Sequence, residues 1–423
     1  MLTCIVGINW GDEGKGRMVD LLSQDQDIVC RYQGGNNAGH TVVNERGKFI
    51  LNLLPSGILR PEVVCVMGNG MCIDPAHLEK EIGRLREAGV QITPDNLKIS
   101  DRAVITMPYH VAIDGYEEER LGDAKFGSTK RGIAYVYGDK YMKKAIRMGD
   151  LLDMPYLAER LKGIVSYKSL EVEGIYGKPA LQYEELLAFC QKYADMFRDY
   201  ICDTGLYLTE ANKAGKRIMF EAQLGALRDI DFGIYPYTSS SNNIAAYAPI
   251  GAGVPGLKLD RTVGIMKAYS SCVGEGPFTV EMCGEEAHQL REAGGEYGAA
   301  TGRPRRVGAF DAVASRYGVR VQGANELALT KLDTISYMDK IPVCVAYDVE
   351  GTRTTEFPMG HALDVAKPVI EYVDGWNCDI SACRRPGDLP LQALVYVKYL
   401  EELVGAKITY VSVGPERDAY IKF

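Results

Sequence analysis

The sequence predicts an α/β fold: one large central sheet, mostly parallel, with crossover helices and a mainly helical insertion. Three observations lead there. Through residues 1–75, short β-like runs alternate with glycine turns, and short extended pieces return at 96–113. Strands separated by helical stretches are the pattern of a parallel sheet. From about Asp114 to Lys216 the charge rises and helical periodicity takes over. The run Arg217–Phe220 then returns to strand character, so residues 114–216 read as an insertion that covers the sheet.

At 423 residues the chain can bury a large core, and it is read as a single domain over 1–423. Apolar residues make up 46% and charged residues 25%, as in an ordinary soluble protein. The net charge of −8, with acids and bases interspersed, argues against a nucleic-acid coat or a binder of anionic membranes. It leaves room for a small basic pocket. Met1 leads straight into a strand, and no apolar run approaches a membrane span. The eleven cysteines form no CxxC pair, and Cys378 and Cys383 have no second pair to complete a zinc site. Buried, reduced thiols in a cytoplasmic protein are the expectation.

In chain order, Cys4–Asn9 is an apolar run that stops at Trp10-Gly11-Asp12-Glu13-Gly14-Lys15-Gly16, and a helical pattern (Val19, Leu21, Leu22) follows. Strand, tight glycine loop and helix start are the parts of a phosphate cradle. This is not a P-loop, which needs glycine where Asn9 stands and a hydroxyl where Gly16 stands. Asp12 is then the obvious hard oxygen for Mg²⁺; the alternative is a plain βα turn with a solvated acid. After a second run, Asp27–Tyr32, comes Gln33-Gly34-Gly35-Asn36-Asn37-Ala38-Gly39-His40-Thr41. With no aliphatic side chain larger than alanine, it cannot pack a core but can surround a polar ligand.

Extended pieces follow at His40–Val43, Phe49–Leu54 and Val63–Met67, and Asp74-Pro75 opens a helix through Leu78, Ile82 and Leu85. Helices are expected over Leu151–Ile164 and Tyr183–Tyr200. Inside the insertion, Gly127-Ser128-Thr129-Lys130-Arg131-Gly132 sets small hydroxyls beside cations, which suits a phosphate or a solvated loop. The strand Arg217–Phe220 ends in the polar turn Glu221–Gly225, and Asp229–Asn242 is dense in hydroxyls and aromatic residues, a composition for a ligand wall. A strand is expected at Val263–Tyr269, and the loop Gly298–Arg306 clusters Arg303, Arg305 and Arg306, which can fork onto carboxylate or phosphate. Leu327–Leu332 reads as a strand carrying Thr330-Lys331-Leu332-Asp333, Pro390–Leu403 as an amphipathic helix, and Ile408–Val411 as a last strand before the turn Ser412–Pro415. A carboxylate beside a lysine stem there could hold a polar ring, but T-K-x-D alone is a very weak signal.

W-G-D-E-G-K-G followed by Q-G-G-N-N-A-G-H-T resembles the adenylosuccinate synthetase family. Y-P-Y-T-S-S-S-N, K-A-Y-S, G-P-F, T-G-R-P-R-R, L-T-K-L-D and S-V-G-P-E-R follow in that family's order, so the resemblance covers residues 3 to about 421. It implies ligation of L-aspartate to inosine monophosphate (IMP) with GTP as co-substrate and Mg²⁺ as cofactor, in a cytoplasmic homodimer. The expected product is adenylosuccinate, formed through a 6-phosphoryl-IMP intermediate. Asp12 becomes the general base at N1 of IMP and a Mg²⁺ ligand with the carbonyl of Gly39. His40 acts on the transferring phosphoryl group, Lys15 neutralises phosphate charge, and Gln223 belongs to the same catalytic set.

The GTP site then takes in Gly11, Glu13, Gly14, Lys15, Gly16, Arg17, Gly39, Thr41 and Arg305, with Lys331, Leu332, Asp333, Ser412, Val413 and Gly414 around guanine. IMP falls to Asp12, Asn37, Ala38, His40, Thr129, Lys143, Gln223, Ser239 and Arg303. The aspartate clamp is Ala299, Ala300, Thr301, Gly302, Arg303 and Arg305. Four places depart from the family pattern: the loop 127–137, Lys143 in place of an arginine supplied by the neighbouring subunit, a glutamine shifted by one place to Gln223, and Ala300 in place of a threonine. All lie on the IMP and aspartate side. Two alternatives remain at this stage: the same chemistry on another 6-oxopurine nucleotide, and a guanine-nucleotide-binding protein without turnover. The intact Asp12 and His40 argue against the second.

Overall fold

The computed structural model describes residues 1–44, 47–124, 127–298 and 302–423. Its core is a ten-stranded sheet. From one edge to the other the strands are Tyr420–Lys422, Ile408–Ser412, Glu326–Thr330, Arg261–Lys267, Leu2–Gly7, Ile218–Glu221, Ile28–Arg31, Val64–Met67, Leu97–Ser100 and Ile201–Cys202. Every neighbouring pair is parallel except the last hairpin, where Tyr420–Lys422 runs against Ile408–Ser412. Parallel strands are covered on both faces, hence their continuous apolar runs. Leu2–Gly7 is buried at every residue and lies between Arg261–Lys267 and Ile218–Glu221.

This topology positions the site. In a parallel sheet all carboxyl ends share one edge. The loops after Gly7, Arg31, Glu221, Lys267, Thr330 and Ser412 therefore emerge together, although they are hundreds of residues apart in sequence.

Between Leu97–Ser100 and Ile218–Glu221 the chain is mostly helical: Pro108–Leu121, Ile133–Tyr141, Met154–Tyr176, Tyr183–Phe197 and Thr204–Lys213. With the helix Pro75–Glu87, which Asp74 caps by accepting from the His77 N–H at 3.0 Å, the helices Pro108–Leu121, Met154–Tyr176 and Tyr183–Phe197 share one core containing Leu78, Ile82, Ile113, Leu157, Leu161, Leu186 and Phe197. The extended character expected up to residue 113 ends earlier. Pro108 takes the first helical turn, where its missing N–H costs nothing, and Tyr109 and Ile113 bury one face. The helix expected over Leu151–Ile164 starts at Met154 and runs on to Tyr176, because Val165, Lys168 and Val172 continue its buried stripe.

On the other side a small sheet of Phe310–Asp311, Lys340–Val349, Thr352–Thr354 and Lys367–Asp374 packs with the helices Ala312–Gln322 and Leu391–Val404. The strand Glu326–Thr330 stops short of Lys331, whose φ of 62° turns Lys331–Asp333 out of the sheet. Cys4, Cys30, Cys65, Cys190 and Cys344 are buried free thiols. No helix among the described residues is long and apolar enough to cross a membrane.

Candidate active site

The loop after Leu2–Gly7 turns through Gly11 (φ 108°) and Gly14 (φ 90°) into the helix Lys15–Leu22. Its amides already hold an anion supplied by the chain. The Glu13 carboxylate accepts from the N–H groups of Asn9 at 3.1 Å and Gly11 at 2.7 Å, and from Lys15 Nζ at 3.0 Å. Lys15 also donates to the Gly11 carbonyl at 2.9 Å. Both side chains are buried. Gly16 explains why no P-loop hydroxyl stands here: a Cβ on Gly16 would lie 2.7 Å from His40 Cβ. His40 thus packs directly on the start of the helix.

His40 opens the strand His40–Asn44, and its Nδ1 meets Glu221 Oε1 at 2.5 Å. Glu221, at the end of its strand, is fully buried and also accepts from the Ser56 N–H at 2.7 Å and the Ser56 hydroxyl at 2.6 Å. Burial pulls the imidazole below its usual value, Arg31 and Lys15 add to that, and Glu221 opposes it without reversing it. Burial alone would raise the Glu221 carboxyl, but His40, Arg31 and Ser56 hold it down. The pair is therefore a neutral imidazole donating through Nδ1–H to a carboxylate, which leaves Nε2 as the unprotonated nitrogen.

Asp12 sits at the mouth of the same loop. Its Oδ2 faces Lys267 Nζ at 3.1 Å and Arg305 Nη1 at 3.6 Å, and accepts from the Ser271 hydroxyl. Behind these cations lies Glu296, fully buried, which binds Lys267 at 2.8 Å and Arg305 at 2.7 Å. Burial would raise the Glu296 carboxyl, but Lys267, Arg305 and Lys331 bring it down to about 2.

The residues expected around guanine come together beside the loop. Thr330 Oγ1 donates to the Glu13 carbonyl at 2.8 Å, and the Leu332 N–H to the Ser412 carbonyl at 3.2 Å. Arg17 reaches from the glycine-loop helix to the Ser412 hydroxyl and donates to the carbonyls of Glu416 at 2.6 Å and Ala419 at 2.9 Å. Val413 N–H binds the Ala419 carbonyl at 3.0 Å, and the Gly414 carbonyl accepts from Ser412 Oγ at 3.2 Å. Burial raises the Asp333 carboxyl, against the pull of Lys331 and Arg17.

The opposite wall is looser. Ser239 is anchored by its N–H on the Arg228 carbonyl at 2.9 Å, and its hydroxyl faces that of Ser241 at 3.2 Å, which reaches Gln33 at 3.2 Å. Thr129 and Lys143 are exposed, and Arg303 and Gly302 lie on an exposed turn. Ala38 holds Asn52 Nδ2 through its carbonyl at 2.6 Å, the exposed Gly39 precedes His40, and Thr41 pairs with Ile50. Ala299, Ala300 and Thr301, expected in the aspartate clamp, lie outside the described residues.

Gln223 is fully buried. Its Oε1 accepts from Arg31 Nη2 at 2.6 Å and its Nε2 donates to Asn37 Oδ1 at 3.0 Å. A Cβ on Gly34 (φ 75°) would collide with this side chain at 1.1 Å. The glutamine thus braces the loop 33–37 from beneath. Sequence reasoning assigned no role to Glu221, Arg31, Lys267, Ser271 or Glu296. Glu221 and Lys267 stood inside the turns and motifs already singled out; Glu296 carried no local signal.

The model of the family described as adenylosuccinate synthetase matches residues 4–421. A relative named adenylosuccinate synthetase from Caldanaerobacter subterraneus subsp. tengcongensis is 46% identical over 421 residues, covering 99% of this chain and 98% of that protein. One of the same name from Streptococcus gordonii is 44% identical over 415 residues, covering 98% and 96%. The solved structure of a fully ligated adenylosuccinate synthetase from Plasmodium falciparum is similar with a TM-score of 0.93 at 34% identity, covering 100% of this chain and 99% of that one. A cyanophage S-2L succinoaminodeoxyadenylate synthetase, bound to dGMP and dATP, shares the fold with a TM-score of 0.61 at 19% identity, covering 100% and 95%.

Proposed function

The chain belongs to the adenylosuccinate synthetase family, and we propose which of its residues carry out that family's reaction. It is a GTP-dependent ligase that joins L-aspartate to IMP. Asp12 takes the proton from N1 of IMP, so that the 6-oxygen attacks the γ-phosphorus of GTP and GDP leaves. The amine of aspartate then attacks C6, and phosphate departs. Little covalent help is needed beyond positioning and charge. The observation that carries this reading is His40, held by Glu221 at 2.5 Å against the first turn of the glycine-loop helix, with Asp12 in the same loop. Nε2 faces the transferring group, and an anion arriving there favours its protonated, donating form.

The residues around the loop suit Mg²⁺. Asp12 offers a carboxylate and Gly39 an exposed carbonyl, while among the described residues no three His, Cys, Asp or Glu side chains gather as a cage. Few protein oxygens completed by phosphates and water is the Mg²⁺ pattern. Bound there, the ion would neutralise charge between the β- and γ-phosphates. Arg17, Lys331, Asp333 and Ser412–Gly414 hold guanine. Asn37, Thr129 and Ser239 hold the IMP phosphate, and Thr301, Arg303 and Arg305 the aspartate carboxylates. We read residues 1–423 as one domain with its helical insertion at about 114–216, acting in the cytoplasm as a homodimer in which Lys143 serves the neighbouring subunit.

One second reading, in which the acceptor is another 6-oxopurine nucleotide, rests on the departures at the loop 127–137, Lys143, Gln223 and Ala300, all on the IMP and aspartate side. The test is phosphate release from GTP over a panel of nucleotides with aspartate. Release that requires IMP and aspartate together supports the first reading, and release with another 6-oxopurine alone supports the second. No release with any of them overturns both.

A further inference from the structure

Glu296 is fully buried and belongs to none of the substrate positions assigned above. Its carboxylate nevertheless binds both cations that face Asp12. Oε1 accepts from Lys267 Nζ at 2.8 Å and from the Tyr269 hydroxyl at 2.5 Å, and Oε2 accepts from Arg305 Nη1 at 2.7 Å. The same cations stand farther from Asp12, at 3.1 Å and 3.6 Å. The Glu296 carbonyl also accepts the Arg305 N–H at 2.9 Å, so backbone and side chain of Arg305 are fixed by one residue. Two positions earlier, the Gly294 carbonyl accepts from Lys331.

The geometry points to Glu296 as the positioning residue that keeps Arg305 aimed at the carboxylate of the amino-acid substrate and off Asp12. This rests on the reading of Arg305 as part of the aspartate clamp. A guanidinium fixed through one nitrogen presents the rest of its fork to a ligand. Lys267 and Arg305 carry two positive charges between two carboxylates. Without the charge on Glu296, both cations would share Asp12 alone, since a buried charge holds whatever partner remains. Arg305 would then be drawn onto Asp12 and lost to the substrate. Lys331 would keep its anchor, because that contact is to a backbone carbonyl.

The experiment is steady-state kinetics of Glu296→Gln and Glu296→Asp, with the KM for aspartate, IMP and GTP measured separately and folding followed by circular dichroism. Glu296→Gln should raise the KM for aspartate about tenfold or more, the weight of one charge-assisted contact misplaced, with a smaller rise for GTP, whose site Arg305 also borders, and leave that for IMP within about twofold. Glu296→Asp keeps the charge but draws it back, and should show a smaller rise in the same constant. A merely structural role would move all three constants together with the melting temperature, and that result overturns the proposal. So does an aspartate KM that stays at the wild-type value. If Glu296→Gln does not fold, Glu296→Asp decides by the same criterion. Wild-type protein that makes no product from aspartate would instead overturn the ligase reading itself.

Discussion

On the glycine-loop side of the site, each candidate group already has a partner within the chain. Glu13 holds Lys15, Glu221 holds His40, and Lys267 with Arg305 faces Asp12. On the other wall, Thr129, Lys130 and Lys143 are exposed. The difference fits the proposed division of labour between the two sides. Groups that act on a transferring phosphoryl must stand in place before the reaction, because their reorganisation would add to the barrier. Groups that only hold a substrate can be ordered when it arrives, at a cost in affinity. If Lys15 neutralises phosphate charge as proposed, it must give up Glu13 on binding, whereas Arg305 keeps its hold on Glu296.

Substitutions on the paired side should therefore strike turnover hardest. Asp12→Asn keeps the size of the side chain but removes the proton acceptor and a hard anionic ligand, and should abolish detectable phosphate release while the melting temperature stays near that of wild type. Turnover close to wild type would break the contrast at its strongest point. Next, His40→Asn should lower kcat by about 10²-fold or more, the usual scale for a positioned proton donor. Glu221→Gln leaves His40 in place but loosens its orientation. It should cost less than His40→Asn, about tenfold, and combining the two changes should add little, since both act through one imidazole. Independent, multiplying effects would mean that Glu221 only supports the sheet.

How much of this was legible in the sequence depends on whether the signal is local. The two loops at 10–16 and 33–41 announce themselves through their glycines and clustered polar residues. The parallel sheet is legible from continuous apolar runs alternating with helices. The partners of the site residues are not, since Glu221 and His40 are 181 positions apart and only the sheet brings them together. Glu296 reads as one acid among many near a helix end. Local pattern also misleads at Lys331: apolar alternation carries the strand reading through Leu332, whereas a left-handed turn lifts Lys331–Asp333 toward Arg17 and Ser412. Gln223 is the converse case. Its motif suggests a substrate contact, and burial beneath Asn37 and Arg31 gives it a brace.

At the guanine end the expected effect is one of selectivity. A buried carboxylate facing a base without N–H donors is left unpaired, which costs about 1–3 kcal/mol of discrimination. Asp333→Asn should compress or reorder the ranking of GTP, ITP and XTP as co-substrates, with little change in the KM for aspartate. An unchanged ranking would place the guanine contact elsewhere in the pocket.

The smallest effect belongs to the exposed wall. Lys143 follows the helix Ile133–Tyr141 with a φ of 64°, and Lys130 precedes it in a loop with a φ of 54°. Lys143 stands where the resemblance puts an arginine, which keeps the charge and loses the planar fork, and Lys130 stands where it puts a glycine, which adds a cation. Tyr141 and Met142, 72% and 50% exposed, put apolar surface beside Lys143, as an interface between copies requires. If Lys143 serves the neighbouring subunit, Lys143→Ala should weaken apparent IMP affinity several-fold, about 1 kcal/mol for a single exposed phosphate contact, and Lys130→Ala should add to the loss. Because that loss is partial, the decisive form of the test uses a harsher change, Lys143→Glu, which repels the phosphate. Mixing inactive Asp12→Asn protein with Lys143→Glu protein should then restore activity above the sum of the two, since some heterodimers carry one site with both residues intact. If co-expression restores nothing, Lys143 does not act across a dimer. If Lys143→Ala leaves the apparent IMP affinity unchanged, Lys143 does not touch the phosphate, and the exposed wall must hold its ligand through Asn37, Thr129 and Ser239 within one chain.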